Sequence, residues 1–259
     1  MSFASLLVGA EPRDAGFALT IPEDWHQGRT AYGGLSAALA LSAARRLEPE
    51  FPPLRSALVS FVGPLYGAVE ARARVLRRGR NATWVSAEVL RGGEVGMTAS
   101  FVFMRPAESA VLVEQLPPPR ELTVPDDARP VPTERSPTFL GAHFEVRFAV
   151  PRSETARPEV CWWVRPKVRE GLDPVLSAVL TADALPPGVL PLVPRGAPIS
   201  SMTWQINLLS PAPETRDGWW LLRDVGEFAG HGGSSERMDL WNADGQPVIA
   251  GMQSVALFG

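Results

Sequence analysis

Tyr32-Gly33-Gly34-Leu35-Ser36-Ala37-Ala38-Leu39-Ala40-Leu41-Ser42-Ala43-Ala44-Arg45-Arg46 is the stretch that decides how this chain folds. Two glycines open it, and Leu35, Leu39, Ala43 and Leu47 recur at spacings of four, the interval of one helix face. Alanines occupy most of the other positions. A helix that is small and apolar nearly all round must be packed closely on several sides, as it would be inside a sheet that wraps it. Glu48-Pro49 stops it near Leu47, because proline cannot continue a helix.

Outward from this helix the pattern turns to strands. A short one is expected from Phe17 to Trp25, before the helix, and three long ones from Leu54 to Pro64, Val69 to Arg78 and Asn81 to Arg91 after it. In the second of these, Val69, Ala71, Ala73 and Val75 alternate with Glu70, Arg72 and Arg74, the period of a strand with one wet face. Gly92-Gly93 then turns the chain into a fourth, Glu94 to Met104, completing an antiparallel meander.

Residues 105–140 have a different texture, with eight of the chain's 26 prolines, including Pro117-Pro118-Pro119. Such a segment resists both helix and central strand and reads as a linker. It divides the chain into an N-terminal unit, 1–104, and a C-terminal unit, 141–259. The second unit repeats the first. Strands are expected from Ala142 to Ala149 and Glu159 to Val164, then a helix that opens at Asp173-Pro174 with an N-cap aspartate and a proline in its first turn. Val175, Leu176, Val179 and Leu180 form its apolar stripe, Asp183 lies at its end, and Pro186-Pro187 stops it. Strands follow at 199–209, 219–227, 234–242 and 248–258, the last two joined by the turn Asn242-Ala243-Asp244-Gly245.

Composition bounds the function. The chain has 259 residues, 45% apolar, 20% charged, with net charge -3. That balance is globular and suggests neither nucleic acid nor an anionic membrane surface as partner. Lys167 is the sole lysine, so 24 of the 25 basic residues are arginine, as codon bias in a GC-rich genome would produce. The single cysteine, Cys161, cannot form an internal disulfide, and its neighbours Trp162 and Trp163 imply a buried thiol and a reducing compartment. Nothing before Ala10 reads as a signal peptide, and no apolar run approaches the ~20 residues of a membrane span. A cytoplasmic location is expected.

A helix held by a curved antiparallel sheet, used twice in one chain, is a double hotdog fold of the α+β class. The chain resembles the acyl-CoA thioesterase II family, the TesB-like thioesterases, through most of its length outside the linker. Tyr32-Gly33-Gly34, Gly96-Met97-Thr98-Ala99-Ser100-Phe101, Thr181-Ala182-Asp183 with Leu185-Pro186, and Asp244-Gly245 followed by Gln253 carry the resemblance. It implies hydrolysis of an acyl-CoA thioester, with acyl-CoA as the partner molecule, no cofactor, and association into a dimer or larger assembly.

Other hydrolase machinery is absent from the sequence. There is no Gly-x-Ser-x-Gly elbow, the three histidines lie at no metal-ligand spacing, and neither a phosphate loop nor a dinucleotide fingerprint occurs. Chemistry is left to carboxylates, amides, hydroxyls and backbone dipoles. Asp183 is the leading candidate, because the C-terminal end of a helix disfavours a negative charge; capping of the Ala184-Leu185-Pro186 turn is its structural alternative. The resemblance makes Asp183 the base that activates water and Gln253 the amide that orients that water. A half-buried structural glutamine is the other reading of Gln253. The family's third member is a threonine early in the strand after the second helix, where this chain has Ile199. Ser200 or Ser201 would supply the hydroxyl only through a bulge or a shifted register, since adjacent strand residues face opposite sides. Tyr32, Gly33 and Gly34 are the candidate substrate-binding residues, the glycines offering helix-start N–H groups to an oxyanion. Close helix packing explains the same glycines. Two other functions stay open: an acyl-ligand binding protein in which Ile199 has broken the water site, and a hydratase using Asp24 and His26. Tunnel depth would rest on residues such as Trp84, Phe101, Trp204 and Trp241, whose facing the pattern leaves undetermined.

Overall fold

The computed structural model describes every residue except Arg135, Arg152, Arg195 and Gly259. In the first half the elements are α1 (Phe3–Val8), β1 (Glu11–Arg13), β2 (Gly16–Ile21), β3 (His26–Gln27), β4 (Thr30–Ala31), α2 (Gly33–Arg46), β5 (Leu54–Phe61), β6 (Gly67–Arg78), β7 (Ala82–Arg91) and β8 (Glu94–Met104). In the second they are α3 (Thr138–His143), β9 (Phe144–Phe148), β10 (Glu159–Pro166), α4 (Pro174–Ala182), β11 (Ile199–Leu208), β12 (Trp220–Gly230), β13 (Gly233–Asn242) and β14 (Pro247–Leu257).

Twelve strands form one antiparallel sheet in the order β1-β2-β6-β7-β8-β5-β11-β14-β13-β12-β10-β9. Read from its middle, the order is a palindrome: β5 and β11, each the first strand after a long helix, pair with one another, and the later strands follow outward in matching sequence. This is the double hotdog arrangement, with a helix against the concave face in each half. From Gly34 to Ala44 every residue of α2 is buried, which explains its alanines: a larger side chain would hold the helix off the sheet and off α4.

α2 and α4 lie side by side in opposite directions, pinned at both ends. At one end the Tyr32 hydroxyl donates to the Leu180 carbonyl at 2.7 Å. At the other, Arg45 Nη1 reaches Oδ1 of Asp173 at 2.6 Å, while the same carboxylate accepts from the Val175 and Leu176 N–H groups at 3.0 Å. Asp173 therefore caps one helix and ties it to the other.

Several boundaries differ from the sequence reading. The strand expected from Phe17 to Trp25 ends at Ile21, and Glu23–Trp25 form a 3-10 turn after Pro22. Residues 142 and 143 belong to α3 instead of a strand, so the linker boundary expected at 140 falls inside that helix, whose Phe139 and Leu140 are buried. β5 ends at Phe61, three residues before Pro64. The proline-rich segment is packed along the second half of the sheet. Leu116, Leu122 and Ala128 join Trp163, Trp219, Leu221 and Trp241 in a second apolar cluster, and the Trp163 and Trp241 indoles donate to the Thr123 and Leu116 carbonyls at 2.8 and 2.9 Å.

Candidate functional site

The antiparallel crossing of α2 and α4 brings the N-terminus of one beside the C-terminus of the other, and the candidate site lies there. Asp183 caps the end of α4. Its carboxyl faces the start of α2 so closely that a Cβ at Gly33 would lie 2.5 Å from Oδ2. A Cβ at Gly34 would lie 2.5 Å from the Tyr32 hydroxyl and 2.6 Å from the Leu180 carbonyl oxygen. The two glycines thus serve different contacts: Gly33 makes room for the carboxylate, Gly34 for the helix crossing.

Gln253 is 3% exposed on β14 and joins the other two candidates. Its Nε2 donates to Asp183 Oδ1 at 2.9 Å, and its Oε1 accepts from Ser201 Oγ at 2.9 Å. Ser201 reaches this position through a bulge. β11 pairs Ser201 with Val255 but Thr203 with Ser254, so Met202 is the extra residue. Below the bulge, Trp204 faces inward opposite Gln253; above it, Ser201 faces inward too, which strict alternation would forbid. Ser200 stays exposed on the outer side of the turn in register.

Gly33, Ser36, Asp183, Ile199, Ser200 and Ser201, with Phe61 and Leu65, border a cavity of about 380 Å³. Burial pushes the Asp183 carboxyl up to about 7, while the Gln253 amide and the Gly34 N–H pull it back. The positive end of α2 acts in the same stabilising sense on the carboxylate. A carboxyl poised near neutrality on a cavity wall can accept a proton from water at neutral pH. Gly33 also lies on the cavity wall, at a helix start where an N–H has no acceptor within the helix.

Tyr32 is not part of the cavity wall. It is fully buried, stacked on Phe139 with ring centroids 4.0 Å apart, and its hydroxyl is used on Leu180. Its proton is held well above the usual phenol range, by burial first and then by the Asp183 charge. It ties the start of α2 to the end of α4. Of the residues weighed for tunnel depth, Phe101, Trp204 and Trp241 are core, and none of them or Trp84 borders this cavity. Asp24 is bound to the N-terminal amine at 2.9 Å and faces His143 at 3.4 Å, on the wall of a different cavity. Ser36, one turn into α2 on the cavity side, is one of two serines among its alanines; Gln27, Thr30 and Phe61, also on the wall, carry no sequence signal. No group of three potential metal ligands occurs among the described residues.

Residues 21–104 match the family described as acyl-CoA thioesterase N-terminal domain, and residues 119–257 the one described as acyl-CoA thioesterase C-terminal domain. Among solved structures the chain is similar to a conserved protein of unknown function with hot dog fold from Alicyclobacillus acidocaldarius, at 19% identity and TM-score 0.87 over 100% of this chain and 99% of that one. It is similar to a tesB protein from Mycobacterium avium subs paratuberculosis at 20% identity and TM-score 0.78, over 100% of both chains. A third, acyl-CoA thioesterase II TesB2 from Mycobacterium marinum, shows 17% identity and TM-score 0.77 over 99% of this chain and 98% of that one. No curated protein matches it.

Proposed function

Because the chain belongs to the acyl-CoA thioesterase family, we propose that it hydrolyses an acyl-CoA thioester to the free acid and CoA, with Asp183 as general base. The observation that carries this reading is the hydrogen-bonded series Ser201–Gln253–Asp183 at the edge of a cavity that also meets the start of α2. Water in that cavity gives a proton to Asp183 Oδ2 as its oxygen attacks the thioester carbon. The C–S bond breaks as the tetrahedral intermediate collapses, and the proton returns from Asp183 to the departing thiolate. Gln253 and Ser201 fix the carboxylate and the water, and the Gly33 N–H is the donor offered to the oxyanion. The Gly34 N–H is directed at Asp183 and is not counted as a donor to substrate.

Residues 1–104 and 141–259, joined by 105–140, enter this reading as two units that contribute to one composite site. Among the described residues no helix is long and apolar enough to cross a membrane. Cys161 is buried, and its thiol is pushed up to about 12 by that burial, so it takes no part in the chemistry; we place the protein in the cytoplasm.

Thiol release from short, medium and long acyl-CoA substrates, compared between the wild type and Asp183→Asn, tests the function. Turnover that falls by ~100-fold or more in the variant supports base catalysis. Full turnover in the variant removes Asp183 from the mechanism. Binding of acyl-CoA with no turnover of any chain length favours the acyl-ligand binding protein.

A further inference from the structure

One rung of the sheet behind Asp183 carries a second polar group, which the hydrolysis above does not use. On the concave face, Trp204, Gln253, Glu236 and Gly226 form a continuous row across β11, β14, β13 and β12. Glu236 is therefore the cross-strand neighbour of Gln253. Asp224, on β12, is diagonal to Glu236, its own partner being Met238. Asp224 is 1% exposed and Glu236 is 0% exposed.

Two carboxylates cannot both be ionised there without a donor for each lone pair. Glu236 Oε1 accepts from Ser234 Oγ at 2.5 Å. Neither oxygen of Asp224 nor Oε2 of Glu236 has a well-aligned protein donor; the Gly188 N–H lies near Asp224, and the two carboxyl side chains face one another within hydrogen-bond reach. A single proton between them converts two clashing acceptors into an O–H···O⁻ bond, among the strongest a protein forms. Gly226 on the same rung makes room first for Val189, whose Cγ1 a Cβ would meet at 2.3 Å, and then for Glu236 Oε2, at 3.3 Å.

A second observation points into the same place. Asp224 borders a cavity of about 10 Å³ shared with Trp204, Ala182, Leu185 and Met238, room for one water. Trp204, on its wall, is 1% exposed, and its indole N–H has no protein acceptor. An unused donor and an unused carboxylate edge across a space of that size match one water. Burial and then the charge of Glu236 push the Asp224 proton well above the usual carboxylate range; the Gly188 backbone pulls it back, and the Asp183 charge adds to the rise.

We propose that Asp224 and Glu236 hold one proton between them and act as a positioning pair whose remaining negative charge, one rung behind Gln253, strengthens Asp183 as a base. This rests on the thioesterase reading of Asp183. The coupling is reciprocal: a charge on Asp183 that favours protonation of the pair implies that charge on the pair favours protonation of Asp183. The groups facing the pair are few. From α4 comes Asp183, from β14 the neutral Gln253 and from β11 the Trp204 indole. α2 contributes the phenol of Tyr32 beside Asp183. Arg223 and Asp239 also border the small cavity, but Arg223 is paired with Glu159, and Arg237 with Glu227 and Asp239, by alternation on the opposite face of the sheet. Among the described residues no cation on the concave face neutralises the pair.

Two measurements test this. In the pH profile of kcat/KM, the acid limb of the double variant Asp224→Asn/Glu236→Gln moves down by about half a unit or more, because the last charge has gone. Asp224→Asn alone, which mimics the protonated member, leaves the charge on Glu236 and moves the limb much less. A limb that stays put in the double variant overturns the proposal, as does one that moves equally in the single variant. Infrared spectroscopy supplies a readout that needs no turnover. In an Asp183→Asn background at about pH 7.5, a protonated carboxyl stretch is expected, lost on adding Asp224→Asn. Its absence overturns the shared proton. If no acyl-CoA is turned over by the wild type, the thioesterase reading falls while the infrared band still decides whether the pair holds its proton.

Discussion

Gly33 and Asp183 approach so closely that the glycine has no room for a methyl group: its Cβ would sit 2.5 Å from the carboxylate Oδ2 and 3.1 Å from the Phe61 ring. Both obstacles are side-chain ends, which can move, whereas a Cβ at Gly34 would meet the Leu180 backbone carbonyl at 2.6 Å. The two Gly→Ala variants should therefore fail differently. Gly33→Ala displaces the Asp183 carboxyl and lowers kcat/KM about tenfold or more with a small change in Tm. Gly34→Ala forces α2 and α4 apart and costs roughly 1–3 kcal/mol, a drop in Tm of several degrees. Paired activity and thermal-melt measurements decide; equal Tm losses in both variants would remove the distinction.

A base whose carboxyl is pushed up to about 7 gives activity a simple pH dependence. Below that value Asp183 is protonated and cannot accept a proton from water, so kcat/KM should fall about tenfold per unit as pH drops through the acid limb. A profile that is flat from pH 8 down to pH 5 would show that Asp183 is not the base.

The helices were legible because their signals are local. Asp173-Pro174 fixes the start of α4 by capping chemistry alone, and the alanines of α2 announce a helix buried on all sides. The repeated helix-then-strands order gave the double hotdog. What a single segment cannot carry is the pairing between segments. That Gln253 would bond to Asp183 across 70 positions, or that Tyr32 would bond to Leu180 instead of facing a ligand, depends on how the two units close on each other. The proline-rich segment misled in one respect: proline excludes a central strand but not packing, and Leu116 and Leu122 lie against the sheet.

The bulge at Met202 is the sharpest case, because one inserted residue reverses which side chains face inward. Ile199 breaks the expected hydroxyl position, and the bulge supplies Ser201 in its place, bonded to Gln253. Ser201→Ala removes a donor to a buried amide and should lower kcat by about tenfold, through the lost orientation of Gln253. Ser200→Ala, at an exposed position, should have a much smaller effect. A larger loss from Ser200→Ala would mean that the register in solution lacks the bulge.

Asp183 also links stability to pH, with a sign opposite to that of a carboxylate in a salt bridge. Its folded value, about 7, lies above the ~3.9 of an unfolded aspartate. Between those values the folded state binds the extra proton, so the stability that Asp183 contributes is complete below about pH 4 and is lost as pH rises through 7. Asparagine has no charge to develop in that environment. The stability of Asp183→Asn relative to the wild type should therefore increase from pH 4 to pH 8, by an amount on the order of a few kcal/mol, and level off above that. Comparing the two proteins cancels slopes from groups that do not interact with Asp183; Asp224, which does, loses its proton at still higher pH. Chemical denaturation at a series of pH values gives the difference directly. A wild type that gains on the variant as pH rises would mean that the charged carboxylate is the form the fold prefers, and the base would then owe its reactivity to position alone.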